Sequence, residues 1–151
     1  MDTYPVTVGS GTLRPLTGTF EADHEWTPSG VTVEGAFTGP NLLHIAVAGS
    51  VLNHIYRLAV ERSLRVDGVR VRAEGAFDAD TWRSTGITYT VELVTDASDE
   101  QKEQLLEAVD AAASVVQTLR AGTTVARARS AGPTKYRWWD SNPHALADRA
   151  F

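Results

Sequence analysis

The chain has 151 residues, with 42% hydrophobic and 22% charged positions, which is the composition of one ordinary globular domain with a real core. A formal charge of -5 argues against a duplex-binding surface, since phosphate contacts need clustered Lys and Arg, so no nucleic-acid partner is expected. There is no cysteine, which removes disulfides, thiolate metal sites and every thiol mechanism together. No apolar run approaches the roughly 20 residues that span a bilayer, and the opening "MDTYPVTVGSG" lacks the basic then apolar order of a signal peptide. No membrane association and a cytoplasmic location are the expectation.

In chain order, residues 4 to 37 are rich in Thr, Val, Gly and Glu with Pro and Gly breaks, which predicts two or three short strands. A long helix opens at "TGPN", where Pro40 suits the first helical position because its missing N–H has no partner there, and runs to about Leu64. In "VDGVRVRAEGAF", Asp67-Gly68 reads as a turn, and Val69, Val71 and Ala73 alternate with Arg70, Arg72 and Glu74 at the strand period. Ile87, Tyr89, Val91 and Leu93 repeat that alternation, so the two runs read as an antiparallel pair. Ser98 with Gln101 forms a capping box for a second helix, whose stripe is Leu105, Val109, Ala112, Val116 and Leu119 before Gly122 ends it. "TTVARARS" is a last short strand. An irregular tail with Tyr136, Trp138 and Trp139 follows, and its aromatic side chains suit either packing on a dimer surface or a lid. The expected division is a domain over residues 1–132 and a tail over 133–151.

The order strand, strand, long helix, strand, strand, capped helix, strand resembles the OsmC/Ohr family of organic hydroperoxide reductases. "TGPNLLHIAVAGS" resembles the family's GxNPEELLxxAxxxC opening of its central helix. "LRVDGVRVRAEGAFD" resembles the strand that follows, and "AAASVVQTLRAG" is similar to the CPVxxxL signature of the second helix. The resemblance covers roughly residues 30 to 129. It implies an α+β fold in which antiparallel sheets wrap around a long central helix and a second helix. It also implies an intertwined homodimer with its reactive site at the subunit interface.

The same alignment shows what has gone. The family's peroxidatic cysteine falls on Ser50, its resolving cysteine on Ala113 and its helix-start glutamate on Asn41. The activating arginine should lie shortly before Pro40, yet no Arg occurs between Arg14 and Arg57. A serine hydroxyl does not cycle through sulfenic acid and disulfide states, so hydroperoxide reduction by the family mechanism is excluded.

The remaining polar residues define the candidate site. Ser50 and His54 lie about 40° apart on one helix face, the i and i+4 relation in which side chains meet. They read either as a working pair, with His54 as base or proton shuttle and Ser50 as nucleophile or donor, or as satisfied core and interface residues. No carboxylate nearby in sequence orients His54. Asn41 and His44 extend a polar strip along the helix, and Ala113 faces the pocket from the second helix. His44 and His54 are about 15 Å apart along the axis, too far for one zinc ion, and no metal or cofactor is expected. In "FEADHEW" the strand alternation puts His24 and Trp26 on one face, where they either border the pocket or sit half-buried behind an acidic edge. Two readings of function follow. One is a non-redox enzyme applying acid–base chemistry to a small apolar organic molecule, of isomerase, cyclase or hydrolase type, and the other is a non-catalytic binding protein for such a molecule.

Overall fold

A computed structural model of the chain describes residues 2–129, so the tail with Tyr136, Trp138 and Trp139 and the domain boundary at 132 lie outside the described residues. The elements are β1 (Val6–Gly11), β2 (Phe20–Ala22), β3 (Val31–Glu34), α1 (Gly39–Glu61), β4 (Val66–Glu74), β5 (Ile87–Thr95), α2 (Asp99–Ala112), α3 (Ser114–Leu119) and β6 (Val125–Arg127). The strands form one six-stranded sheet in the order β2-β3-β1-β4-β5-β6. Neighbours pair antiparallel except β6, which runs parallel to β5, so the sheet is mixed.

Each strand alternates as its residue types require. Val6 and Val8 of β1, Val31 and Val33 of β3, Val69 and Val71 of β4, and Ile87 and Tyr89 of β5 are buried in one core with Val47, Val51, Leu52 and Ile55 of α1. The opposite sheet face is polar. Register places Glu21, Thr32, Gly9, Arg70 and Glu92 in one row across five strands, with Arg70 donating to Glu92 at 3.0 Å and Arg14 paired to Glu21. Gly9 is needed in that row because a Cβ there would meet the Leu13 carbonyl oxygen at 2.6 Å, where the chain after β1 folds back over the sheet.

The helix α1 crosses the inner sheet face against β4 and β1 and packs against α2 and α3, and α2 also reaches the sheet, with Asp110 accepting from the Tyr89 hydroxyl at 2.5 Å. Thr38 caps α1 by accepting the Asn41 N–H, and Pro40 occupies its first turn. Ser98 and Gln101 make the expected capping box of α2. Two local readings differ from expectation. Asp67-Gly68 is no turn: Gly68 lies inside β4 opposite Gly11, beside an irregularity in the β4–β5 register, and a Cβ on it would meet Thr12. The second helix is not continuous, because Ala113 adopts an extended conformation (φ -60, ψ 118) that ends α2 and starts α3. That break turns Ala113 into the core and Ala112 outward, reversing the places the unbroken stripe assigns them. Among the described residues no helix is long and apolar enough to cross a membrane.

Candidate functional site

Ser50 lies at mid-length in α1, 8% exposed, where the break at Ala113 points the start of α3 toward it. The Val115 N–H donates to Ser50 Oγ at 3.3 Å. This contact brings Ser50 to the segment Ala113–Val115, so the two positions where the resemblance puts cysteines do converge. A backbone donor in the first turn of a helix has no intrahelical acceptor, and the serine oxygen supplies one. Having accepted that bond, Ser50 still holds its hydroxyl proton, and its Oγ makes no second hydrogen bond among the described residues.

His54 is half-buried one turn further on, and here the structure corrects the expected pair. The two side chains do not hydrogen-bond; His54 Nδ1 instead lies 3.3 Å from the backbone carbonyl oxygen of Ser50. A carbonyl can only accept, so Nδ1 carries a proton, and the neutral form of the ring has its lone pair on Nε2. Among the described residues nothing engages that Nε2. A backbone carbonyl thus does the orienting for which the sequence offered no carboxylate, whereas Ser50, unbonded to the imidazole, is not an activated nucleophile.

Asn41 and His44 do not continue a polar strip toward Ser50. Both are fully buried and bind the segment before β1: Asn41 Nδ2 donates to the Pro5 carbonyl at 3.4 Å, and His44 Nδ1 donates to the Tyr4 carbonyl at 2.8 Å. Thr38 also donates to Asn41 Oδ1 at 2.6 Å, so the position of the family's glutamate serves a helix start. His44 Nε2 is buried without a hydrogen-bond partner, with the Phe77 ring 6.0 Å away, and desolvation holds its pKa below the ordinary value of 6.5.

His24 lies over α1 at Asn53 and Tyr56, which flank His54 in the sequence. His24 Nε2 is 2.9 Å from Asn53 Oδ1 and Nδ1 is 2.7 Å from Thr27 Oγ1, so both ring nitrogens are occupied. Its ring meets the edge of Tyr56 at 5.2 Å and tilts against Trp26 at 5.5 Å. Tyr56 in turn binds Ser10 Oγ at 2.8 Å, and burial raises its phenol pKa. This cluster ties the segment before β3 to the helix and leaves His24 no free base. Among the described residues no group of His, Asp and Glu is placed to hold a metal ion.

Among the partners that sequence reading missed are Asn53, Val115 and the Tyr4 carbonyl. Asn53 had a signal, being polar and one residue before His54. The other two contribute only backbone atoms, which no side-chain pattern announces.

Comparison with known proteins bears on the fold. A family model described as OsmC-like protein matches residues 32–127. Among solved structures, an OsmC-like protein from Mycoplasma pneumoniae superposes with a TM-score of 0.57 at 12% identity, covering 62% of this chain and 71% of that one. An OsmC-like protein of unknown function from Vibrio cholerae gives 0.52 at 11% identity, covering 61% of this chain and 63% of that one. No curated protein sequence matches the chain. Identities this low speak for the fold alone, but the family model spans most of the described residues, from β3 through all three helices to β6, and the chain belongs to the OsmC-like family.

Proposed function

We propose that this protein is a non-redox member of the OsmC-like family that applies acid–base chemistry to a small, largely apolar organic molecule, working as a homodimer with His54 as the base. The observation that carries the reading is the bond from His54 Nδ1 to the Ser50 carbonyl, which fixes the tautomer and leaves Nε2 as an oriented, unoccupied lone pair. It lies one helical turn from the residue that stands at the family's reactive position, in a chain with no cysteine. Gly49 adds support. It sits inside a helix, where glycine costs about 1 kcal/mol relative to alanine, yet among the described residues nothing lies within 4 Å of where its Cβ would be. A glycine without a crowding neighbour in its own chain is accounted for by something outside the chain approaching closely, and Leu42, Ala46 and Asn53 are exposed on that side of the helix.

His54→Gln tests the reading, since glutamine keeps hydrogen-bonding capacity without a base near neutral pH. It should retain the fold and ligand binding while reducing turnover at least a hundredfold. If small-molecule binding survives and wild type shows no turnover to lose, the protein is a binding module. Purified protein should also leave alkyl hydroperoxides unconsumed in the presence of a dithiol reductant, at the rate of a protein-free blank, because no residue can cycle as the thiol does.

A further inference from the structure

We infer that the substrate is a carbonyl compound with an acidic C–H beside the carbonyl, and that the reaction is proton abstraction to an enolate, with Ser50 as the hydrogen-bond donor to the oxygen. The inference rests on the proposed acid–base role of His54 and narrows it.

Two polar atoms at the site are uncommitted among the described residues, and they are of opposite kinds. His54 Nε2 is a lone pair, and the Ser50 hydroxyl is a proton. A hydrolase of the serine type needs the imidazole bonded to the hydroxyl, so that the hydroxyl proton can leave as the oxygen attacks. Here the imidazole is bonded to the serine's carbonyl, and the serine oxygen has given a lone pair to the Val115 N–H at 3.3 Å. An oxygen that accepts a hydrogen bond attacks less readily but donates its own proton more strongly, because the bonds polarise one another. The chain Val115 N–H to Ser50 O–H therefore ends in a donor that is free to meet an oxygen of a bound molecule.

A base and an oxygen donor one helical turn apart, about 6 Å along the axis, match the two ends of an enolisation. His54 Nε2 takes the proton of the C–H bond. That bond's electron pair becomes the new C=C bond, and the former carbonyl π pair moves to oxygen. The oxyanion is held by the Ser50 O–H without proton transfer, and the imidazolium returns the proton to the same carbon or to a conjugated one. No oxidant, reductant or further reactant is needed. Ser50 is 8% exposed, so the oxyanion would form in a largely dry setting, where a single donor counts for more than it does in water.

The test uses cyclohexanone as probe in deuterated buffer near neutrality, with loss of the α-proton signal followed by proton NMR. Wild-type protein should catalyse exchange above the buffer rate. His54→Gln should reduce the protein-dependent rate to that of buffer. Ser50→Ala should lower it at least tenfold, and Ser50→Thr, which keeps the hydroxyl, should restore most of it. Thermal melts of each variant identify any loss due to misfolding, and the Thr variant keeps the proposal testable if the Ala variant fails to fold. Cyclohexanone that shifts the His54 ring resonances but exchanges no faster than in buffer would overturn the enolisation while leaving the acid–base pocket standing. Absence of both shift and exchange would overturn the two together, and equal exchange in wild type and His54→Gln would remove His54 from the chemistry.

Discussion

Replacing His44 by alanine should lower the unfolding free energy by about 3 kcal/mol, because it removes a fully buried ring and leaves the Tyr4 carbonyl without its donor. The pH dependence separates the ring's electrostatic part from its packing. Burial lowers the His44 pKa in the folded state below 6.5, so the unfolded chain binds the proton more tightly. The stability this residue contributes is complete above about pH 6.5. It is lost as pH falls below that value, by up to about 1.4 kcal/mol per pH unit until the folded-state pKa is passed. Glu34 acts with the opposite sign, since burial raises its pKa and costs stability as pH rises above the ordinary 4.5. The measurement is therefore a difference: urea melts of wild type and His44→Gln at steps between pH 4.5 and 7.5. The gap in stability between the two should shrink on the acid side. A constant gap would show that His44 does not titrate between the two states.

Gly49→Ala should move two quantities in opposite directions. Under dilute conditions where the chain is monomeric, the substitution should raise stability by up to about 1 kcal/mol, since the new methyl group meets no described atom and the unfolded chain loses freedom. If a second copy packs closely over this part of α1, the same methyl group should weaken self-association at least tenfold. Analytical ultracentrifugation across micromolar concentrations reads the second effect and thermal melts the first. Wild type sedimenting as a monomer throughout would remove the dimer, and unchanged association in the variant would place the subunit contact elsewhere.

Most elements were legible because their signals are local. Pro40 and the Ser98–Gln101 box mark helix starts by chemistry confined to one turn, and the alternation from Val69 to Ala73 needs no knowledge of the rest of the chain. Gly68 misled for the converse reason. Asp-Gly is a turn signal only if the glycine's freedom is used for a turn, and here its missing side chain is used to let the chain after β1 pass close. The break at Ala113 has no sequence marker, neither proline nor glycine, and lies where the chain meets α1 through Val115 and Ser50. At the site, four-residue spacing correctly put Ser50 and His54 side by side but could not say which serine atom the imidazole meets. In a helix the carbonyl of residue i competes with its side chain for residue i+4, and here it prevails. Asn41 and His44 read as part of the polar strip, yet their partners come from Pro5 and Tyr4, a distance along the chain that periodicity does not measure.

The place of β1 in the sheet has a consequence for synthesis. It is the first of these six strands to leave the ribosome, but it lies between β3 and β4, so one of its two edges stays open until Glu74 has been made. At about 5–20 residues per second that interval lasts on the order of several seconds. Until α1 has been made the apolar side chains of Val6 and Val8 have no helix over them, and the strand edge that meets β4 has no partner for the whole interval. Translation speed across α1 and β4 therefore sets how long a valine-bearing edge is offered to neighbouring nascent chains. Slow codons in that stretch should lower the soluble yield even when the finished protein is unchanged.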